Sequence, residues 1–321
     1  MSAPNFFYFR SCSAVKLMIN LRFGYAVVSS GLILVGFFWN NLQGFSLQYV
    51  VLIVSIFCAN VFMFVVNDFY DAPHDAKDPG KCERNVFCSA DNEKVGKIAL
   101  YTSLGLSLAL SSLVSLPILA IVALFNLLAF SYSAPQIKLR NHAYWDWIFV
   151  FLWKGLIIAA SYIYFFGTEF SALTPFMYGT LVIIMVFSWI SQLDNQIRDF
   201  EVDKLNNSGH STQRLGQKSS SLLKRILLIS FFGFTFLFCY LLGLYVTIVL
   251  IIVNISLFFF VSPLKHSTVL EFANIWIVVL FLEHFIDMYS YQQQLLFSAW
   301  IVAMAVLAVI HAKRYNLFKV C

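Results

Sequence analysis

A short stretch of the sequence carries polar and acidic side chains at helical spacing. Asn67, Asp71, Asp75 and Asp78 follow one another at intervals of four, four and three residues, and Asn60 lies seven residues earlier. If the preceding apolar segment continues as a helix, these residues share one face. Carboxylates gathered on one face repel each other unless cations lie among them. The spacing therefore predicts a cation site at the end of a helix.

A second stretch repeats this pattern farther along the chain. Gln192, Asn195, Asp199 and Asp203 are spaced by three, four and four residues. Two acidic helix ends of this kind can face each other across a cavity. Mg²⁺ prefers oxygen ligands and combines one or two carboxylates with the oxygens of a substrate phosphate. The pair of stretches predicts Mg²⁺ ions around a diphosphate, with Ca²⁺ or a transported cation as alternatives.

Basic residues accompany both acidic stretches. They are Lys77, Lys81 and Arg84 after the first stretch, Arg198 and Lys204 within the second, and Lys138 and Arg140 between the two. Arginine and lysine are the side chains that bind phosphate oxygens. Lys138 and Arg140 belong to a compact motif, YSAPQIKLR, that begins at Tyr132.

The composition shows which elements must position these residues. Of the 321 residues, 60% are hydrophobic and 12% are charged, against about 25% charged in soluble domains. These values exclude a soluble enzyme, a disordered chain and a nucleic-acid-binding domain, and they indicate a polytopic membrane protein. The net charge is a modest +5. The six cysteines have no metal-ligand spacing, so we expect free thiols.

Ten apolar segments are long enough to be candidate membrane helices of about 20 residues. They cover roughly 24–43, 47–66, 98–115, 117–134, 146–166, 172–191, 222–242, 244–262, 268–288 and 294–311. Two longer apolar runs must be divided, and we expect the breaks at Pro117 and near Gly243. Lys154 lies within the fifth segment, where a charge in lipid is costly unless it faces a cavity or reaches the membrane surface.

The basic residues predict the orientation of these segments. With the N-terminus in the cytoplasm, 20 of the 21 lysines and arginines fall on the cytoplasmic side, and the exception is Lys154. The positive-inside rule therefore supports ten crossings with both termini cytoplasmic. A chain with nine helices is the alternative. Both acidic stretches then lie on the cytoplasmic side, and we expect the cell inner membrane as the location.

The three motifs together resemble those of the UbiA-type superfamily of intramembrane prenyltransferases. The family has an N-D-x-x-D-x-x-x-D motif after its second helix, a second acidic motif after its sixth, and a Y-S-x-P-x-x-K/R-L-K/R stretch after its fourth. Here these stretches read NDFYDAPHD, NQIRDFEVD and YSAPQIKLR, in the same order and over about 24–262. One departure is the stretch from Glu83 to Ala90, which keeps Arg84 but lacks the proline and glycine that the family often has there.

The resemblance implies an all-α, polytopic transmembrane bundle of nine to ten helices around a central cavity that opens to the cytoplasmic side. It implies a single prenyltransferase domain over 1–321, with active-site loops at 67–97, 132–145 and 192–222. The implied metal ligands for Mg²⁺ are Asn67, Asp68, Asp71, Asp75, Asn195, Asp199 and Asp203. The expected catalytic residues are Tyr132, Lys138, Arg140 and Arg198, and the expected substrate-binding residues are Asn60, Lys81, Arg84 and Lys154.

The implied reaction is transfer of a prenyl group from an isoprenoid diphosphate to an acceptor within the membrane. Mg²⁺ and basic side chains would neutralise the departing diphosphate, and aromatic faces would stabilise the allyl cation. We expect an aromatic or quinone-precursor acceptor. Cyclisation of the prenyl diphosphate, and transfer to a phosphosugar or glycerol phosphate, are alternatives with the same fold. An ion or solute transporter is the alternative of another class, since acids in membranes also mark ion paths. Expected partners are the donor, a small-molecule acceptor and membrane lipid, without nucleic acid.

Overall fold

The structure of the chain is a computed structural model. It describes residues 22–40, 44–76, 82, 85–88, 90–168, 171, 173–205, 209–260, 280 and 283–284. Helices dominate these residues, and no strand occurs among them. The two late segments predicted at 268–288 and 294–311 lie almost entirely outside the described residues.

Eleven α-helices follow one another through the described residues. They are α1 Phe23–Ser30, α2 Leu34–Trp39, α3 Leu47–Asp75, α4 Ala90–Ser112, α5 Leu116–Ser133, α6 Trp145–Phe166, α7 Pro175–Arg198, α8 Phe200–Leu205, α9 Ser211–Leu215, α10 Gln217–Leu241 and α11 Tyr245–Phe260. Short 3₁₀ turns at Gly31–Ile33, Val86–Cys88 and Leu139–Asn141 complete the described elements. The first predicted segment is therefore divided, because the turn at Gly31–Ile33 separates α1 from α2.

Both predicted breaks are confirmed. Helix α4 ends at Ser112, and α5 begins with Pro117 in its first turn, where the missing N–H of proline costs no helical hydrogen bond. The hydroxyl of Ser115 caps this helix by accepting from the backbone N–H of Ile118. At the second break, Gly243 adopts a left-handed conformation with φ of 72°, which suits glycine between α10 and α11.

Five helices are long and apolar enough to cross a membrane within the part of the chain that the structure describes. They are α3, α5, α6, α7 and α10. The chain is therefore an integral membrane protein built from helices.

The chain forms two compact units. The first comprises Met1–Gly31 and Val51–Lys138. Its helices are joined by polar contacts within the apolar interior: the hydroxyl of Ser55 donates to the carbonyl of Ser107 at 2.7 Å, and the amide of Asn60 donates to the hydroxyl of Ser30 at 3.0 Å. These bonds satisfy side chains that would otherwise be unpaired in lipid.

The second unit comprises Leu32–Val50 and Leu139–Cys321. Here α2 packs closely against α6, because a Cβ on Gly36 would lie 2.4 Å from the hydroxyl oxygen of Ser161. The hydroxyl of Tyr49 donates to the carbonyl of Ile33 at 2.7 Å. At the start of α11, the carboxylate of Glu283 accepts from the N–H groups of Val246 and Thr247 at 2.6 and 2.7 Å. That contact stabilises the N-terminus of α11, where free N–H groups favour a negative charge.

Candidate active site

The first acidic motif forms the last two turns of α3. The helix continues through Pro73 and ends at Asp75, so the prediction of a continuous helical face is confirmed for Asn67, Asp71 and Asp75. The amide of Asn67 donates to a carboxylate oxygen of Asp71 at 3.0 Å, one helical turn away. Asp71 and Asp75 are half-buried, so both carboxylates are accessible to ions.

Asp68 lies one turn before Asp71 on α3 and is paired with Arg22. It is only 1% exposed, and its two oxygens lie 2.5 Å from Nη2 and 3.1 Å from Nε of Arg22. Burial is the largest single influence and lowers the pKa of Arg22, but the charges of Asp68, Tyr25, Asp75 and Asp71 together outweigh it, so the pKa is raised. This pair could not be predicted from the sequence, because 46 residues separate the partners along the chain.

Asn85 anchors the loop that follows the first motif. Its amide donates to the carbonyl of Asp68 at 2.8 Å and to a carboxylate oxygen of Asp75 at 2.9 Å, while its own oxygen accepts from the N–H of Phe87. Asn85 is 3% exposed. It lies in the stretch that lacks the proline and glycine of the family pattern, and its three hydrogen bonds fix the loop there. Lys81 and Arg84 lie outside the described residues.

The YSAPQIKLR motif begins at the end of α5. The hydroxyl of Ser133 is 3.4 Å from the amide oxygen of Asn67, so this motif meets the first acidic motif within the first unit. Tyr132 beside it is half-buried. Lys138 adopts a left-handed backbone conformation with φ of 43°, and its N–H donates to the carbonyl of Ala134 at 2.7 Å. Arg140 lies in the 3₁₀ turn Leu139–Asn141, at the start of the second segment of the second unit.

The second acidic motif lies at the end of α7 and is not one continuous helical face. Helix α7 ends at Arg198, Asp199 adopts a non-helical conformation, and α8 starts at Phe200. Asn195, Arg198 and Asp199 are exposed, and the guanidinium of Arg198 donates to the amide oxygen of Asn195. Asp203 belongs to α8, and its side chain lies outside the described residues. The chain changes direction at Asp199, and the periodicity of the sequence did not indicate this break in the helix.

Asp194 joins the end of α7 to α10. It is 5% exposed, and its carboxylate lies 2.6 Å from the ammonium of Lys224 and 3.5 Å from the guanidinium of Arg198. Separating α7 from α10 would leave the buried carboxylate of Asp194 unpaired, which is costly. The ion pair therefore holds the end of α7, which carries Asn195, against α10.

Asp146 connects three segments around the second motif and was not predicted as a site residue. Its carboxylate is fully buried and accepts from the N–H of Trp147 at 3.0 Å, the amide of Gln196 at 2.5 Å, and both the N–H and hydroxyl of Ser211 at 3.1 and 2.5 Å. The hydroxyl of Ser211 in turn accepts from the N–H of Tyr144 at 2.6 Å. The start of α6, the end of α7 and α9 are therefore held by one carboxylate. The sequence signal that could have indicated Asp146 is an acidic residue at the start of an apolar helix.

The sequence pattern of one protein family matches residues 29–278, which is most of the chain, and that family is the UbiA prenyltransferase family. The chain belongs to the UbiA prenyltransferase family. This confirms the prediction of a membrane prenyltransferase made from the three motifs. A comparison with curated proteins finds no match.

Solved UbiA structures share the fold. A UbiA homolog from Archaeoglobus fulgidus bound to GPP and Mg²⁺ is 18% identical, with a TM-score of 0.62 over 84% of this chain and 99% of that chain. An apo UbiA homolog from Aeropyrum pernix K1 is 14% identical, with a TM-score of 0.59 over 84% and 98% of the two chains. A digeranylgeranylglyceryl phosphate synthase structure is 18% identical, with a TM-score of 0.55 over 86% and 98%.

The oxygen-bearing side chains of the first acidic motif in this UbiA chain are of the kind that could hold a magnesium ion that keeps part of its water shell. Asn67, Asp71 and Asp75 present amide and carboxylate oxygens on one helix face. Among the described residues, no group of three or more histidine, cysteine, aspartate or glutamate side chains is close enough to hold a metal ion by itself. Mg²⁺ uses one or two carboxylates and completes its shell with water and phosphate. The donor set thus suits an ion that arrives with a diphosphate.

The remaining predicted substrate-binding residues of this UbiA chain lie within helices. Asn60 is fully buried in α3, and its amide donates to Ser30 and to the carbonyl of Ile56. In α6, the ammonium of Lys154 lies 3.6 Å from the centroid of the Trp153 ring, which stabilises the cation on an aromatic face. Trp189 of α7 contacts the rings of Trp147 and Phe151 at 5.4 and 5.5 Å. The indole N–H of Trp189 is buried and has no hydrogen-bond partner within the described structure.

Proposed function

We propose that the chain catalyses Mg²⁺-dependent transfer of a prenyl group from an isoprenoid diphosphate to an aromatic or quinone-precursor acceptor in the membrane. The observation that carries this proposal is the presence of both acidic motifs at helix ends, in a member of the UbiA prenyltransferase family. The UbiA homolog bound to GPP and Mg²⁺ supports the donor and the metal. We propose that the whole chain acts as a single prenyltransferase domain.

Each acidic helix end would bind Mg²⁺ together with diphosphate. Asn67, Asp71 and Asp75 would act at the end of α3, and Asn195, Asp199 and Asp203 at the end of α7. Asp68 remains a predicted ligand, and its pairing with Arg22 gives it a second role in fixing α3. When bound, Mg²⁺ supplies positive charge that stabilises the departing diphosphate.

Basic side chains would hold the diphosphate oxygens that the metal leaves free. The motifs that carry Lys138, Arg140 and Arg198 support this role, and Lys81 and Arg84 stay predictions of the same kind. Arg198 is exposed and already contacts Asn195, so it can reach an anion without leaving the second motif. Such fixed cations favour the transition state, in which negative charge builds on the leaving group.

Aromatic and buried polar residues would then receive the prenyl cation and select the acceptor. Tyr132 lies in the last turn of α5, directly beside Ser133, which contacts Asn67 of the first motif. Trp189 presents an indole N–H without a partner in the described residues, suited to an oxygen of a ring-bearing acceptor. We propose that Asn60 and Lys154 add polar contacts, because a polar group left unpaired by a wrong acceptor penalises binding.

We further propose that the reaction occurs at the cytoplasmic face of the cell inner membrane, in a central cavity of a bundle of nine or ten helices. The concentration of basic residues beside both acidic motifs supports this orientation.

The test is an assay of the purified full-length chain in lipid nanodiscs with Mg²⁺. Dimethylallyl, geranyl, farnesyl and geranylgeranyl diphosphates would each be supplied with an aromatic hydroxy acid, glycerol phosphate, a phosphosugar or no acceptor. Product mass and diphosphate release are measured. We expect prenylated aromatic product that disappears in excess chelator, and the variant Glu93→Gln, which changes an exposed acid outside the motifs, should retain full rate.

Each alternative gives a different result in this assay. A cyclic hydrocarbon formed without an acceptor would assign a terpene cyclase, and product from glycerol phosphate or a phosphosugar alone would change the acceptor class. With the chain reconstituted in sealed liposomes instead of nanodiscs, cation flux across the vesicle membrane without any diphosphate release would assign a transporter. Full turnover in excess chelator would refute the role of the metal.

A further inference from the structure

A cavity of about 250 Å³ lies within the first unit, among α3, α4 and α5. Its apolar walls are formed by Phe62, Leu104 and Leu108 on one side and by Ala123, Leu127 and Phe130 on the other. On α3, Phe62 is turned about 140° away from Asn67 around the helix axis. The cavity is therefore separate from the acidic face of α3.

Asn126 is the one polar side chain among the described residues that line this cavity. It is 4% exposed, and its amide nitrogen donates to the hydroxyl oxygen of Ser107 at 2.8 Å. Ser107 donates its only proton to the carbonyl of Leu104 at 2.8 Å, so it must accept from Asn126. This fixes the orientation of the amide. The amide oxygen of Asn126 is buried and has no hydrogen-bond partner within the described part of the chain.

The chemistry of this unpaired oxygen restricts what could occupy the cavity. An occupant must donate a hydrogen bond, because the amide oxygen only accepts. A water molecule would find one polar side chain where a buried water needs two to four partners. A charged group is disfavoured because Asn126 lies near the middle of α5, an apolar helix long enough to span the membrane. A neutral hydroxyl on an apolar body satisfies all three conditions.

The cavity is accessible from the lipid. Leu127 and Phe130 on its wall are 60% and 39% exposed, and exposed apolar side chains of a membrane-spanning helix face the hydrocarbon region. The ring of Phe130 also contacts Tyr70 of the first acidic motif, with centroids 6.0 Å apart. An occupant would thus lie beside α3 without reaching the acids themselves.

We propose that this cavity binds an alcohol or phenol dissolved in the bilayer. Its hydroxyl donates to the amide oxygen of Asn126, and its apolar body packs against Phe62, Leu108 and Phe130. The proposal does not depend on which reaction the acidic motifs catalyse.

The test uses a dodecanol that carries a diazirine at mid-chain and a terminal alkyne, with the full-length chain in nanodiscs. After irradiation, crosslinked peptides are identified by mass spectrometry and quantified. The matched probe is the methyl ether of the same molecule, which has no hydrogen-bond donor. We expect labelling of peptides containing Leu104 to Leu108 or Ala123 to Phe130. The alcohol should label about threefold to tenfold more strongly than the ether, as one hydrogen bond in a membrane predicts.

Two variants and a control separate the hydrogen bond from the fold. Asn126→Leu should reduce alcohol labelling to the level of the ether. Ala123→Phe, at an exposed position on the cavity wall, should block both probes while leaving Asn126 unchanged. Asn254→Leu alters an equally buried asparagine in α11 and should leave the labelling as in the natural chain.

Equal labelling by the alcohol and the ether in the natural chain would overturn the proposal, because the donor would then contribute nothing. Labelling confined to peptides outside the cavity, or labelling that survives Ala123→Phe, would overturn it as well.

Discussion

Asp71 and Asp199 are the central carboxylates of the two proposed magnesium-binding motifs. Asp71 is half-buried at the end of α3, and Asp199 is exposed where α7 ends. Replacing either by asparagine removes one negative charge and one of the oxygens that we propose bind the metal, while keeping the shape of the side chain. We expect Asp71→Asn and Asp199→Asn each to lower kcat by at least about 10²-fold, the size found when one charge-stabilising group is lost. Rates are compared at equal amounts of membrane-inserted protein.

The exposed Glu93, which pairs with Lys97 on α4, provides the matched control for that comparison. Glu93→Gln should retain the natural rate. If both motif variants also kept it, the assignment of the acidic helix ends to the active site would be wrong.

Asp146 positions its neighbours Gln196 and Ser211 by accepting hydrogen bonds from them. Asp146→Asn replaces an acceptor oxygen by an NH₂ group, which would oppose the N–H or hydroxyl of Ser211. A buried donor left unpaired costs about 1–3 kcal/mol. We expect kcat/KM to fall about tenfold and the melting temperature to fall with it, because α9 and the end of α7 lose their common anchor. Steady-state kinetics and thermal unfolding measure the two effects.

Gln196→Met is the comparison for Asp146→Asn, since it removes one donor to the carboxylate and the acceptor of the Trp147 indole N–H, and leaves the carboxylate with its other donors. It should cost less than Asp146→Asn in both measurements. An Asp146→Asn variant with natural kinetics would show that this cluster does not position the second motif.

At the scale of the elements, both acidic motifs lie at helix C-termini. Helix dipoles place partial negative charge there, so carboxylates at these ends destabilise the helices. A cation bound at either end relieves that repulsion, and binding to the folded state raises stability. We predict that Mg²⁺ raises the melting temperature of the purified chain by a few degrees, and that Asp71→Asn raises it without Mg²⁺ while reducing the Mg²⁺ shift. Thermal unfolding with and without chelator checks both signs; a lower melting temperature of Asp71→Asn without the metal would contradict the argument.

Much of the helical organisation was predictable from local chemistry. The breaks at Pro117 and Gly243 follow from the missing N–H of proline and the left-handed backbone of glycine, both local properties. The continuation of α3 through Asp75 was predictable from side-chain spacing. The division between α1 and α2 was not predicted, although Ser29, Ser30 and Gly31 interrupt the apolar run where the 3₁₀ turn begins, and such serine and glycine pairs bend helices.

The motifs of the proposed site are visible in the sequence, but the side-chain contacts that hold them in place are not. Arg22 with Asp68, and Asp146 with Ser211, join residues 46 and 65 positions apart, and spacing along one helix says nothing of such pairs. The break at Asp199 was hidden for another reason: a helical repeat in sequence continues whether or not the backbone does. Asn85 was hidden because a single asparagine in a loop has no pattern.

At the scale of the whole molecule, the distribution of charge predicts the topology. Since 20 of 21 basic residues fall on one side in the ten-segment arrangement, both termini and the polar loops should face the cytoplasm. Reporter fusions at the C-terminus and in the loop after α7 test this. Both should be cytoplasmic, and an external C-terminal reporter would leave nine helices as the better count.

A second prediction concerns the donor. With the charged groups at helix ends and apolar helix surfaces below them, a longer prenyl tail would extend toward lipid. We therefore expect kcat/KM to vary less than about tenfold from farnesyl to geranylgeranyl diphosphate, while changes of acceptor alter it more. A rate that collapsed on addition of one isoprene unit, with acceptors freely exchangeable, would indicate a closed pocket.

The length of α3 determines the height in the membrane at which the proposed site would capture a diphosphate. Its 29 residues extend about 43 Å, whereas the hydrocarbon core of a bilayer is about 30 Å thick. The final turns, with Asp71 and Asp75, therefore reach the headgroup region. Hydrated ions are available there, so an ion does not have to enter the hydrocarbon core. In the proposed site every donor would be held by its diphosphate. The reacting carbon would therefore lie at the same depth below the phosphates, whatever the length of the prenyl tail. Altering the chain to accept a different isoprenoid would need changes among the apolar residues only, with the acidic turns left untouched.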